Sequence, residues 1–205
     1  MTDLKQLAAE TPAVYERRAA QFDAERPKVL FERGWLERFL GMCPQRPLVL
    51  DAGCGAGEPI ARYLLEAGCE LVGLDSASAM IEIAAGRFPN ARWEVGDMRE
   101  LSEPEPFDGI VAWHSFFHLA PDDQRSTLVR FAEHLRPAGA LLVTVGDRAG
   151  EVVGHVGGER VYHSSLSPDE YQAILRGLDL EVVDFVAEDP SCDGATVLLA
   201  RRNAA

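Results

Sequence analysis

Between Leu50 and Pro59 the chain reads Leu-Asp-Ala-Gly-Cys-Gly-Ala-Gly-Glu-Pro, with glycines at alternate positions 53, 55 and 57. Residues without a Cβ let the backbone turn sharply and come close to a bound molecule. Two carboxylates frame the loop: Asp51 just ahead of it, and Asp75, 22 residues after Gly53, at the end of the next apolar run. A carboxylate placed like Asp75 can accept sugar hydroxyls. Asp51 would oppose a pyrophosphate and suits a ligand that carries an amino group. The spacing is GxGxG, with Glu58 where a dinucleotide fingerprint puts its last glycine. A second group of reactive types is Trp113-His114-Ser115-Phe116-Phe117-His118. Histidines titrate near neutral pH, so His114 and His118 could take a proton from a hydroxyl or amine. Their alternative is packing and hydrogen bonding, and Trp113, Phe116 and Phe117 divide equally between an apolar pocket and the core.

Positioning those residues requires strands that end at them. Apolar runs at Leu48–Asp51, Glu70–Asp75, Ala91–Val95, Gly109–Trp113, Ala140–Gly146, Glu181–Ala187 and Thr196–Ala200 read as strands. Four of the first five are continuous, as in parallel strands buried on both faces, whereas Ala91–Val95 alternates and reads as an edge. Helical spacing fills the gaps, with stripes at Met80, Ile81, Ala84, Phe88, at Leu128, Val129, Ala132, Leu135, and at Tyr171, Ile174, Leu175, Leu178. Ser167, Pro168 and Glu170 start the last helix. Ala13–Ala24 and Val29–Leu40 read as two further helices broken at Pro27. The alternation predicts an α/β, doubly wound sheet with its ligand outside the carboxyl ends of the strands. The last two strands are too close for a crossover helix and should pair antiparallel.

The chain has 205 residues, 47% apolar and 26% charged, with 20 Lys+Arg against 33 Asp+Glu for a net charge of −13. Such charge repels phosphate backbones and anionic membranes, which argues against nucleic-acid and membrane partners. The cysteines at 43, 54, 69 and 192 form no metal or disulfide pattern, and Met1–Glu10 lacks a signal-peptide core. Both features lead us to expect a cytoplasmic protein with no metal. The expected organisation is a single domain over 1–205, with a helical cover at 1–44 and a core at 45–205. Within it, the glycine-rich stretch 146–167 reads as a loop closing over substrate.

A sugar, an amine and no phosphate point to S-adenosylmethionine. Residues Val49–Asp97 resemble the class I S-adenosylmethionine-dependent methyltransferases of small-molecule type. The resemblance rests on the glycine loop, Leu74-Asp75-Ser76-Ala77-Ser78-Ala79-Met80 and Val95-Gly96-Asp97-Met98. Trp113 to Leu119 and the Leu135-Arg136-Pro137-Ala138-Gly139-Ala140 turn extend it, so that it spans about Tyr15 to Ala200. It implies a Rossmann-like sheet of order 3-2-1-4-5-7-6 with strand 7 antiparallel.

Carried over by position, Asp51 and Gly53 hold the methionine end and Asp75 the ribose, with Ala52 and Gly55 also binding the cofactor. Ser76 and Met80 flank the adenosine, Asp97 receives the adenine amino group, and Met98 lines the ring. Trp113 and His114 lie beside the cofactor; Tyr15, with Phe22 and Arg26, covers its methionine end. The expected activity is methyl transfer to a small-molecule acceptor, releasing S-adenosylhomocysteine. A cyclase or lyase on the same fold, or a silent binder of the cofactor, remains open, and GxGxG with Asp51 disfavours a nicotinamide enzyme. Absence of an Asn/Asp-Pro-Pro-aromatic motif after Trp113 weakens a DNA-modifying reading.

Overall fold

A computed structural model describes residues 3–204. Strands β1 (Leu48–Ala52), β2 (Glu70–Asp75), β3 (Arg92–Val95), β4 (Phe107–Ala112) and β5 (Leu135–Val145) are joined by crossovers. Helices α3 (Ile60–Glu66), α4 (Ser78–Arg87) and α5 (Pro121–His134) serve three of them. After β5 come the hairpin β6 (Gly150–Val156) and β7 (Glu159–Ser165), helix α6 (Pro168–Gly177), and strands β8 (Leu180–Asp189) and β9 (Ala195–Arg202). The main sheet has the order β3-β2-β1-β4-β5-β9-β8, with β9 antiparallel to both neighbours. That is the expected order and edge, the expected last pair being β8 and β9.

Strand alternation splits the core between the two faces. Leu50, Ala52, Ile110, Leu141 and Val143 face Leu128 and Phe131 of α5 and Tyr171 and Leu175 of α6. Val49, Val111, Leu142 and Leu199 face Ile60, Ala61 and Leu64 of α3, and Trp35, Leu36 and Phe39 of helix α2 (Arg33–Leu40). Ser167 caps α6 by accepting from Glu170 N at 3.2 Å, as its sequence predicts. Among the described residues no helix is long and apolar enough to cross a membrane.

Three expectations change. Helix α1 (Leu4–Glu25) starts nine residues earlier than Ala13, because the Asp3 carboxylate caps Lys5 N and Gln6 N and the helix runs on through Pro12. Helix α2 starts later than Val29, since Val29 and Phe31 point into solvent at 61% and 46% exposure and gain nothing from winding onto the core. The stretch 146–167 is no loop. Gly157 and Gly158, at φ 55° and 80°, make a two-residue turn that pairs β6 with β7 in a separate sheet.

Candidate active site

Strands β1 and β4 are adjacent and parallel, and the chain leaves them toward opposite sides of the sheet. Their carboxyl ends therefore open a crevice at the switch point of the strand order. The glycine loop lines one side of it. Gly53 N and Cys54 N donate to the Leu74 carbonyl at 2.7 and 3.1 Å, and Gly55 N donates to Asp75 Oδ2 at 2.9 Å. Gly53 turns at φ 77°, which L side chains rarely adopt. From the other side, Ser115 Oγ donates to the Ala52 carbonyl at 2.6 Å, so the segment after β4 is stitched to the loop after β1.

Helix α1 roofs the crevice and leaves a cavity of about 440 Å³. Its wall brings together Tyr15, Asp51, Gly53, Gly55, Asp75, Ser76, Met80, Asp97, Met98, Trp113, His114 and His118. Ala52 is the exception: it is fully buried beneath the wall. Phe22 and Arg26 also line the cavity, while Phe116 is buried against Phe131 in the core.

The roof is fastened along its length. Glu16 accepts from Ser78 Oγ and Ala79 N at 2.8 and 3.1 Å, placing a negative charge at the start of α4 where the helix dipole favours it. Asp23 pairs with Arg87, whose guanidinium also reaches the Ala56 carbonyl at 2.7 Å. Arg26 donates to the Glu58 carbonyl at 3.1 Å. Toward the hairpin, Thr11 Oγ1 accepts from Tyr162 N at 2.9 Å, and Arg17 and Arg18 pair with Glu159. Glu16, Ser115 and Arg99 make contacts around the cavity that the sequence reading missed; the partners of Glu16 and Ser115 lie more than sixty residues away along the chain.

The carboxylates differ in what faces them. Asp51 is 2% exposed, and among the described residues no donor reaches its carboxylate. Burial, with Asp75 adding to it and Arg26 opposing, pushes Asp51 up to about 7. Burial also raises Asp75, against the hydrogen bonds from Ala77 N and Gly55 N. Asp97 is different: burial would raise it, but the bonds from the Arg99 side chain and backbone prevail and hold it below the usual range. Arg99 ties Asp97 in turn to Asp123 of α5 at 2.9 Å. Asp97 is thus already paired.

His114 stands at φ 53°, its backbone N held by Thr144 Oγ1 at 2.7 Å. Strained non-glycine backbone of this kind gathers at functional sites. Its ring opens on the cavity, yet crowding by protein, and then Arg26, pushes the imidazolium down to about 4. His118 is engaged at both nitrogens, with Tyr15 Oη and the Tyr162 carbonyl oxygen each 2.8 Å away. Phe117 and His163 pack around it at ring distances of 4.9 and 4.8 Å. His118 therefore has no free lone pair, whereas His114 does. No group of three or more His, Cys, Asp or Glu among the described residues is placed to hold a metal ion.

A glycine cradle, an unpartnered buried carboxylate and a second carboxylate on the next strand thus share one covered cavity. Residues 49–139 match the family model described as a methyltransferase domain. That stretch is a methyltransferase domain of the class I S-adenosylmethionine-dependent kind. Among its methyltransferase relatives, trans-aconitate 2-methyltransferase of Deinococcus radiodurans is 41% identical over 108 residues, 51% of this chain and 40% of that protein. The 27-O-demethylrifamycin SV methyltransferase of Amycolatopsis mediterranei is 34% identical over 172 residues, 74% of this chain and 62% of that one. The chain thus spans well under two thirds of the first of these methyltransferases. The 1,6-didemethyltoxoflavin-N1-methyltransferase of Burkholderia thailandensis, solved with bound 1,6-didemethyltoxoflavin and S-adenosylhomocysteine, shares the fold at a TM-score of 0.73. It is 22% identical, over 99% of this chain and 92% of that one.

Proposed function

We propose that this chain transfers the methyl group of S-adenosylmethionine to a small-molecule acceptor by in-line displacement. The observation that carries the reading is Asp51, a buried carboxylate lining a covered cavity, to which no group among the described residues donates a hydrogen bond. A buried charge without a partner is costly, and the amino group of the cofactor supplies one. Asp51 and the Gly53–Gly55 cradle would hold the amino-acid end, with Arg26 toward its carboxylate. Asp75 would take the ribose hydroxyls, Ser76 and Met80 would flank the adenosine, and Asp97 with Met98 would meet the adenine. When bound, the cofactor supplies an already activated methyl group on sulfur.

The work left to the protein is alignment and exclusion of water. Helix α1 roofs the cavity, and we assign the acceptor to the side walled by Trp113, His114 and the 146–167 hairpin. His114, neutral with a free lone pair, would take the proton of an acceptor that must lose one. The names of the relatives and of the solved neighbour, all concerned with small organic acceptors, support that substrate class.

Calorimetry with S-adenosylhomocysteine and with NADH tests the cofactor. Binding of the first alone is expected, and preference for NADH would overturn the reading. Product analysis then follows S-adenosylmethionine against a panel of small amines and alcohols. S-adenosylhomocysteine formed one-for-one with methylated acceptor is expected; a cofactor fragment without it would mean lyase chemistry.

A further inference from the structure

The β6–β7 hairpin has two edges, and the rest of the fold covers one of them. Along β7, Tyr162 N donates to Thr11 Oγ1 at 2.9 Å, and the Tyr162 carbonyl oxygen lies 2.8 Å from His118 Nδ1. Both main-chain groups of Tyr162 therefore point away from β6, so Tyr162 and Val153 opposite it form a non-hydrogen-bonded pair. Alternation along the antiparallel ladder then assigns the bonds to β7 to Val152, Gly154 and Val156. The N–H and C=O of Glu151, Val153 and His155 are turned outward. Among the described residues no hydrogen bond reaches that outward row.

The side chains along it are open as well. Glu151, Val152, Val153 and His155 are exposed, Val152 at 61% and Val153 at 38%. Natural sheet edges are commonly blunted by a lysine, a proline or a bulge. The β6 run, Gly150-Glu151-Val152-Val153-Gly154-His155-Val156, has none of these and pairs with β7 without a register shift.

We propose that the outer edge of β6 pairs with the same edge of a second copy of this chain, antiparallel and centred on Val153, joining the two hairpins into one four-stranded sheet across a two-fold axis. Two identical antiparallel strands are self-complementary, so each contact at one end is repeated at the other. This register uses every outward main-chain group of Glu151, Val153 and His155. It sets Val153 against Val153 of the partner subunit and Glu151 against His155 of the partner subunit. Residues directly opposite share a face, so each Glu151 carboxylate meets an imidazole, with Arg160 beside that imidazole in its own hairpin. Glu151 Oε1 already accepts from Tyr162 Oη at 2.5 Å, while among the described residues no donor reaches Oε2. Centred on Val152 or Gly154 instead, the pairing would set Glu151 or His155 against Val153. Charge complementarity thus selects both the occupant and the register. Such an edge interface is small and reversible, with a Kd of the order of 10 µM. It does not depend on what the cavity binds, and it braces β7, on which the roof rests through Thr11, Arg17 and Arg18.

Sedimentation velocity of the full chain over about 1 to 200 µM tests the proposal. A monomer–dimer equilibrium is expected; a monomer throughout overturns it. Val153→Pro removes an N–H that faces the open edge and none that bonds β7, so the hairpin keeps its ladder. Association in that variant should weaken by about tenfold or more, and a dimer as tight as the native one overturns the inference. Charge variants test the register without altering the main chain. His155→Glu sets a second carboxylate opposite Glu151 at both ends, and Glu151→Lys sets an ammonium against His155 and Arg160. Each alone should associate about tenfold more weakly than the native chain. Mixed, the two variants face each other with opposite charges at both ends and should form a heterodimer about as tight as the native dimer. A mixture that associates no better than its components overturns the inference.

Discussion

Gly53 and Ser115 compete for the same space: a Cβ on Gly53 would stand 2.2 Å from the Ser115 Cβ. Real Cβ atoms do not approach that closely, so Gly53→Ala must push the segment after β4 away from the loop after β1. We expect a loss of more than about 2 kcal/mol in chemical denaturation, together with loss of S-adenosylhomocysteine binding. Gly53→Ala with Ser115→Gly should recover the steric part and leave about 1 kcal/mol from the left-handed backbone, together with about 1 kcal/mol for the lost bond from Ser115 to the Ala52 carbonyl, which Ser115→Gly alone measures. Equal losses in the single and double variants would show that the two positions are not coupled.

Asp51 predicts opposite pH trends for stability and binding. Its folded value, about 7, lies above the usual 3.8, so the fold favours the protonated acid. As pH rises from about 4 to 7 the folded state must give up a proton it holds more tightly than the unfolded chain does, and this group's contribution to stability falls. A bound ammonium offsets the new charge. S-adenosylhomocysteine affinity should therefore rise from pH 5.5 to pH 8 in the native protein. Asp51→Asn should raise the melting temperature without ligand at pH 8 by about 5 °C while weakening that affinity at least tenfold. An Asn variant that keeps native affinity would remove Asp51 from the amino site.

The ion pair between Asp23 and Arg87 works in the other direction. The Arg87 hydrogen bonds, against burial and with help from Lys28, hold Asp23 down at about 2. Its contribution is present in full above the ordinary value near 3.8 and is lost as pH falls toward 2. Fastening of the roof should thus be insensitive to pH between 5 and 8. Asp23→Asn should speed amide exchange in the last turns of α1 by about tenfold at pH 7. Exchange rates equal to those of the native protein would mean that Glu16 and Arg26 suffice.

His114 sets the expected shape of a pH–rate profile. Pushed down to about 4, it is neutral from pH 5 upward, so its lone pair is available across the neutral range. If it is the base, kcat/KM for an acceptor that turns over should climb toward pH 5 and then stay level on its account. His114→Ala should lower that plateau about 10²-fold. A break near 6.5 that disappears in the Ala variant would contradict the crowding that depresses this ring.

What was legible in the sequence follows from distance along the chain. The glycine loop, Asp75 and Asp97 stand at strand ends where backbone requirements and chemistry coincide within a few residues. The continuous apolar runs of β1, β4 and β5 could belong only to buried parallel strands. Ser115 was silent because its partner, the Ala52 carbonyl, lies 63 residues away, and Glu16 because it answers to Ser78 and Ala79. The β6–β7 hairpin had a local signal, Gly157-Gly158 between two valine-containing runs, but four glycines in that stretch suggested a loop. The tautomer of His118 depends on the Tyr162 carbonyl, which no residue pattern encodes.

The hairpin has one further consequence. Two strands alone are marginal in water, and β7 rests on α1 through Thr11, Arg17 and Arg18 and on the post-β4 segment through His118. Roof and hairpin are therefore a matched cassette assembled from chain segments more than a hundred residues apart. A chimera that borrows α1 from a relative while keeping this hairpin would strand the Tyr162 amide and Glu159 without their counterparts. Borrowing both together would leave all seven strands of the main sheet, and the carboxylates at their ends, untouched.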